Sequence, residues 1–595
     1  MQGPRLDLTR IVPEFDRRFF ESHEDFTLIG SGALGGKAEG LARVKRMLAS
    51  AWRPERHPGF DVTIPRLTVI GTDVFDRFLD ENELRGVARS GGSDEEIARA
   101  FQQASMPASI VGDLRGLIER VHQPLAVRSS SLLEDAMDRP FAGVYATKMI
   151  PNNQLDAESR FRRLVEAIKF VYASTFFSGA REYLAATGKR AEEKMAVVIQ
   201  EVVGRRHGDR FYPDVSGVAR SWNFYAAGGA LPDEGTASLA LGLGKTIVDG
   251  GVVWSYSPAR PRANPPVSSA RDLLQATQTR FWSVNMGPPP AYDPVAETEY
   301  LVRGGLAEAE EDEVLRPLAS TYDAASDRLT PGTGPTGARV LTFAPMLVHG
   351  EPPLNDVIRS MLDLAEATGS GAMEIEFAAT IEESGAARVG FLQARPLQVA
   401  SEAVDVPLES LRGEGVIAAS DSVLGNGRIE DLLDIVFVRR DRFDRSRSVE
   451  IAREIERVNR DLISSGRGYL LIGFGRWGSS DPWLGIPVRW DQISGARVIV
   501  EASLPGAEPE PSQGSHFFHN VMSAGIAYFT VRHTGPYALD WEYLDAQPPA
   551  FESEHVRHIR FRSPMTVLVD GWTGRGVVRR PGRGGATAPA GGSPA

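Results

Sequence analysis

Met373-Glu374-Ile375-Glu376-Phe377 and, shortly after it, Gly390-Phe391-Leu392-Gln393-Ala394-Arg395-Pro396 decide how this chain is read. Both runs have the apolar, branched and aromatic content of strands. In a strand, Glu374 and Glu376 project from one face. Two carboxylates and the side-chain carbonyl of Gln393 make an all-oxygen set suited to Mg²⁺, which takes few protein ligands and shares the rest with phosphates. Arg395 lies two residues beyond Gln393, shares its face and offers a planar fork of donors. Taken alone, the same residues also fit an exposed strand face with an incidental salt bridge.

Working upstream, Gly35-Gly36-Lys37 follows a glycine-rich turn and opens a helix whose Leu41, Val44 and Leu48 share a side. Glycines let backbone approach a phosphate, a helix N-terminus supplies N–H groups, and a lysine adds a point charge; a plain turn before a helix reads the same way. Ala126-Val127-Arg128-Ser129-Ser130-Ser131, with Glu134-Asp135 and Phe141-Ala142-Gly143 behind it, reads as a strand running into a polar loop. Arg128 followed by hydroxyls is either a phosphate clamp or a solvated arginine in a turn.

Around these motifs, strand-like runs alternate with helical ones, so the expected fold class is α/β. Strands are expected at Thr63–Gly71, Met195–Val203, Ala372–Ala378 and Arg388–Gln393, and helices at Asp73–Leu84 and Ser159–Ala186. The segment 260–335, rich in Pro, Gly and acidic residues, reads as an insertion with one charged helix near Ala307–Leu318. A linker near Gln398–Pro407 leads to a second half with a long charged helix, about Ser446–Ile463, and several strands. From Gly574 the composition falls to Gly, Ala, Pro and Arg, the signature of a disordered tail. The expected division is an N-terminal extension 1–25, a main domain 26–399, a smaller mixed α/β C-terminal domain 400–573 and a tail 574–595.

The length of 595 residues exceeds one hydrophobic core. A net charge of -12 argues against a general nucleic-acid binder, which needs a basic face. The absence of cysteine removes disulfides, thiolate nucleophiles and sulfur-ligated metals. No run approaches the roughly 20 apolar residues of a membrane helix, and the first residues lack the apolar core of a signal peptide. The expectation is a cytoplasmic protein with neither a nucleic-acid nor a membrane partner.

Taken in order, Gly-Gly-Lys, Val-Arg-Ser-Ser, Phe-Ala-Gly, the Val-Val-Ile-Gln strand, Gly-Leu-Gly, the acidic Ile-Glu pair and Leu-Gln-Ala-Arg-Pro resemble the ATP-binding part of phosphoenolpyruvate synthase and pyruvate phosphate dikinase. The resemblance spans about Phe26–Val399. It implies an ATP-grasp fold that closes on ATP and Mg²⁺ and passes a phosphoryl group to a histidine. Residue by residue it implies that Lys37 and Arg128 bind phosphates, with Gly35 and Gly36 beside them, that Glu376 and Gln393 hold magnesium, and that Arg395 contacts a phosphate. Glu374 and Gln200 would line the nucleotide pocket. This chain departs from the family at Glu374, where aspartate is usual, and at Lys245, where Gly242-Leu243-Gly244 is usually followed by glutamate. The family's phosphohistidine context is absent, and residues 400–573 are too few for a swivelling domain and a barrel.

Two stretches of the second half are dense in reactive types. Leu471–Trp483 mixes glycines, Arg476, paired serines and two tryptophans, as ligand-binding loops do. Ser512-Gln513-Gly514-Ser515-His516-Phe517-Phe518-His519 offers His516, whose neutral imidazole is a competent phosphoryl acceptor. The same histidine pair fits packing beside the phenylalanines or, less readily, a two-histidine metal site. The leading expectation is an ATP- and Mg²⁺-dependent phosphotransferase acting on His516 or on a histidine domain or small molecule elsewhere. Its rivals are a nucleotide-binding regulator or scaffold that has lost transfer, and an enzyme acting on a small molecule or glycan at Arg476–Trp483.

Overall fold

The computed structural model describes residues 12–16, 25–89, 91–131, 143–186, 193–224, 231–263, 270–334, 336–368, 371–397, 404–503 and 515–581. Glu134, Asp135, Phe141, Ala142, residues 512–514 and the tail from 582 lie outside these. The fold is mixed α/β. It comprises two compact units, one of Met1–Val399 with Ser512–Ser523, the other of Ala400–Pro511 with Ala524–Ala595.

In the first unit, a five-stranded sheet runs Phe26–Ile29, Leu67–Ile70, Met195–Glu201, Leu125–Ser131, Thr147–Ile150. Arg128 and the three serines after it, expected in a loop, continue the strand. They pair with Val198, Val197, Ala196 and Met195, and this pairing outweighs the turn preference of serine. The helix Gly36–Ala51 starts against that strand. Gly35 has φ 76, and a Cβ there would stand 1.8 Å from the Ser130 carbonyl oxygen, so only glycine fits. Ser130 Oγ donates to Leu34 O at 2.8 Å and accepts from the Ala38 N–H at 3.1 Å, pinning the helix start to the strand end.

A six-stranded sheet runs Trp254–Tyr256, Thr236–Ala240, Val215–Arg220, Met373–Ile381, Ala387–Pro396, Phe60–Thr63. Its inner face and the helices Gly36–Ala51 and Leu354–Thr368 share one core, with Leu41, Val44, Val357, Met361, Ile375 and Phe391 buried together. The run expected as one strand at Thr63–Gly71 divides between the two sheets, because Pro65 separates two pairing partners. The expected insertion 260–335 is built largely of short strands. Arg280–Asn285 and Leu301–Gly305 belong to a four-stranded sheet with Arg210–Tyr212 and Arg205–His207. The charged helix expected near Ala307–Leu318 is the shorter Leu306–Glu311, and a second short helix, Ala270–Ala276, precedes the strands. Proline and acidic composition concealed strands of this length.

In the second unit, Asn426–Val438, Tyr469–Phe474, Ala496–Ala502 and Ala527–Val531 lie parallel in one large sheet. Val556–Asp570 and Arg575–Arg579 extend it antiparallel. The tail therefore does not begin at Gly574: Val577 and Val578 supply the apolar pair that an otherwise Gly- and Arg-rich segment needs to join a sheet, and both are fully buried. The long helix is Ser448–Ser464. Arg476 and Trp477, expected on an open loop, are buried; Trp477 Nε1 donates to Val500 O at 3.2 Å, while Trp483 stands 65% exposed.

Glu501 is buried near Arg476 and accepts a short hydrogen bond from the Tyr528 hydroxyl. Burial pushes its carboxyl up to about 7, against the opposing pull of Tyr528 and Arg476. A carboxyl raised in the folded state favours folding while it stays protonated. As pH climbs from the unfolded value near 4.5 to about 7, the unfolded chain ionises first and stability falls by about 3 kcal/mol. Denaturant midpoints measured across that window should show this decline, and Glu501→Gln should flatten it. An unchanged pH dependence in the variant would refute the assignment.

Candidate functional site

In the first unit, one cavity of about 230 Å³ gathers Lys37, Arg128, Gln200, Glu376, Gln393, Arg395 and His516. Lys37 stands in the first turn of its helix and donates to Ser129 Oγ at 3.2 Å. Arg128 holds three partners: Nη1 donates to Gln200 Oε1 at 3.2 Å and Leu392 O at 2.9 Å, and Nη2 donates to Gln393 Oε1 at 2.9 Å. One guanidinium thus ties the five-stranded sheet to the strand Ala387–Pro396.

Glu376 and Gln393 are direct partners across the antiparallel pair, with an irregularity just after Glu376. Glu376 lies 3.7 Å from both Arg128 Nη2 and Arg395 Nη2. Facing positions of this kind hold Cβ atoms about 4.5–5.5 Å apart, so the two side-chain oxygens fit a small, hard cation sharing its remaining positions with water or phosphate.

Glu374, expected in the pocket, lies behind the wall instead. It is 0% exposed, faces Arg220 on one neighbouring strand and Arg395 on the other, and pairs with both. Burial by itself would raise its carboxyl; the two guanidiniums outweigh that and hold it at about 2. Its part is to fix Arg395 on the wall. Gly35 and Gly36 do not line the cavity, and the glycine at 35 answers to Ser130, as described above.

Lys245 does line the cavity, at the start of the short helix Lys245–Val248. It pairs with Asp249 at 3.0 Å. Burial works against its charge, but Glu297 and Asp249 prevail and raise it above the ordinary lysine value. Asp249 and Glu297 escaped sequence reasoning. Glu297 sits in the segment read as an insertion, and its only signal was that Lys245 needed a counter-charge.

His516 opens the helix His516–Ser523, the part of the second half that belongs to the first unit. A Cβ on Gly143 would fall 2.3 Å from His516 Nδ1, so the glycine of the Phe-Ala-Gly motif makes room for the imidazole. The Arg220 guanidinium lies 4.8 Å from the ring centre of Phe518, which also meets Phe224 edge-on at 5.7 Å. Burial and the charges of Arg395, Lys37 and Lys245 push His516 down to about 3. His519, deeper and buried, is also pushed well below the usual imidazole value, by burial first and then by Arg395.

Over residues 31–414 the sequence matches the family described as pyruvate phosphate dikinase, AMP/ATP-binding domain. The chain belongs to that family. Its dikinase-type domain is an ATP-grasp-type, AMP/ATP-binding domain, and every residue lining the cavity except His516 falls within the matched range. No curated protein matches the chain. Among the described residues, no helix is long and apolar enough to cross a membrane.

Proposed function

We propose that this dikinase-type protein transfers a phosphoryl group from ATP to a histidine, and that His516 is the acceptor. One observation carries the reading: His516, far away in sequence, lines the same cavity as Lys37, Arg128, Glu376, Gln393 and Arg395.

Lys37 and Arg128 would hold the ATP phosphates, and Arg395, braced by Glu374, would add a third positive group. Magnesium would sit between Glu376 and Gln393 and draw charge from the phosphates. A free histidine is half protonated near pH 6.5; His516 keeps its nitrogen lone pair available well below that, because burial and three neighbouring cations oppose protonation. Attack by that lone pair forms a P–N bond as the P–O bond to the nucleotide breaks, and the nucleotide departs with the electron pair. The charge of Lys245 does not count against transfer, since Asp249 and Glu297 offset it.

The test is incubation of the full chain with Mg²⁺ and ATP labelled at the γ or β position. Acid-labile label is expected on the chain and should vanish in His516→Ala. Label that survives in this variant moves the acceptor elsewhere. No label, with neither ADP nor AMP formed, would leave a nucleotide-binding regulator.

A further inference from the structure

Three groups able to ligate a metal meet in the second unit, away from every residue that phosphoryl transfer uses. Glu454 stands on the helix Ser448–Ser464, and Glu554 and His555 stand on the turn between the strands Pro549–Glu552 and Val556–Asp570. One ligand atom from each lies within 4.8 Å of the other two. Two carboxylates alone would say little; the histidine beside them says more.

His555 is 3% exposed, and its Nδ1 lies 2.9 Å from the carbonyl oxygen of Arg442. A carbonyl only accepts, so Nδ1 carries the proton and the neutral ring keeps its lone pair on Nε2. Metal-binding imidazoles are ordinarily held this way, with the far nitrogen donating to a carbonyl or a carboxylate. Nε2 is buried and has no hydrogen-bond partner. A Glu554 oxygen faces it at 3.8 Å, too far for a hydrogen bond. The gap is also too narrow for a bridging water, which holds its two partners about 4.5 Å apart. Two metal bonds of about 2.0–2.2 Å, one to nitrogen and one to oxygen, do span it. A lone pair closed to water in this way is still within reach of a bare cation.

Glu454 is set in place by its neighbours. Its Oε2 accepts from Ser553 Oγ at 2.6 Å and from the His555 N–H at 3.0 Å, which holds the carboxylate beside the turn. The Glu554 side chain is 61% exposed, so it has room to close on an ion and offers the way in from solvent. Arg447 approaches Glu554 at 3.6 Å but hydrogen-bonds to Glu450, so ligation by Glu554 would not strand the guanidinium.

We propose that Glu454, Glu554 and His555 bind a divalent cation of the zinc class, with water in the position left open to solvent. One imidazole nitrogen and two carboxylates suit zinc and its transition-metal neighbours, whereas magnesium prefers oxygen alone. The ion would pin the turn to the helix. The site is separate from the magnesium position assigned to Glu376 and Gln393, and it does not depend on that reading.

Calorimetric titration with Zn²⁺ tests it, on the full chain first freed of metal and then saturated with Mg²⁺ and a non-hydrolysable ATP analogue. One equivalent of Zn²⁺ should bind with a Kd of about 10 μM or tighter. Glu554→Gln should weaken that binding by about tenfold or more, and His555→Ala should abolish it. Zinc should raise the melting temperature of the parent protein and leave that of Glu554→Gln where it was. Without metal, Glu554→Gln should melt with the parent, since the side chain it alters is exposed. Failure to take up Zn²⁺ at 100-fold the expected Kd, roughly 1 mM, would overturn the proposal. So would zinc binding that survives undiminished in both variants, which would place the ion elsewhere. Magnesium competing on equal terms with zinc would remove the imidazole from the ligand set and the proposal with it.

Discussion

Lys37→Met should lower ATP-dependent labelling of the chain by about 10²–10³-fold while leaving the melting behaviour nearly unchanged. The expectation rests on where the lysine stands. Gly35 and Ser130 fix the start of its helix, so the ammonium is held at the cavity by backbone geometry rather than by its own contacts. The ammonium donates to the buried hydroxyl of Ser129, and methionine keeps an unbranched side chain of similar length. What the variant lacks is one positive charge where phosphate charge shifts during transfer. Arg128→Met is a less clean experiment, since it strands Gln200, Gln393 and the Leu392 carbonyl together. Labelling of Lys37→Met at the parental rate would remove this lysine from the machinery. Calorimetry with ATP would show whether the loss lies in binding or in transfer.

Glu374→Gln should cost about 3–5 kcal/mol of stability, read as a shift in urea midpoint, because it removes the carboxylate that pairs with both buried guanidiniums and leaves Arg395 only Glu376, 3.7 Å away. The residue sits on the central strand of three, directly opposite Arg220 on one side and Arg395 on the other, and all three side chains are buried. The sign with pH follows from a carboxyl held at about 2 in the folded protein. Its stabilising share is complete above the unfolded value near 4.5 and is lost as pH falls from there towards 2. The variant should lose stability at neutral pH and show a weaker further decline in acid. Replacing the three together, Arg220→Met, Glu374→Leu and Arg395→Met, should recover much of the loss, because apolar side chains of similar size need no counter-charge. A neutral effect of Glu374→Gln, or no recovery in the triple variant, would show that the triad is not the strut described here.

The cleft was legible in part. Glu376 and Gln393 could be matched because strand alternation and a familiar order of motifs put both on one wall, and the structure pairs them across adjacent strands. Lys37 and Arg128 could be picked out because short motifs carry them. Arg220 could not, since only the pairing of Val215–Arg220 with Met373–Ile381 brings it to Glu374, and register between distant strands leaves no local trace. For the same reason Glu374 looked like a pocket residue: alternation says which side chains share a face, not which of them the next strand will cover. Asp249 and Glu297 were hidden by composition, the first in a short turn and the second in a segment whose prolines disguised its strands. In the second half, the helix and main strands were visible from periodicity. The burial of Arg476 and Trp477 was not, because it depends on the packing of Gly473, where a Cβ would fall 2.3 Å from the Trp477 ring.

The membership of Ser512–Ser523 in the first unit bears on how the gene can be cut. The chain passes from one unit to the other after Val399, returns after Pro511 and leaves again after Ser523. No single truncation point isolates either unit: residues 1–523 carry the first with part of the second, and residues 400–595 carry the second with the histidine helix. A fragment ending at Val399 would retain Lys37, Arg128, Glu376, Gln393 and Arg395 but lack His516. Excising the second unit from its other side would open a gap between the paired strands Ala496–Ala502 and Ala527–Val531. Domain exchange with a relative therefore has to move the histidine helix as a graft of its own, and a library of simple deletions would misreport which half of the protein is needed.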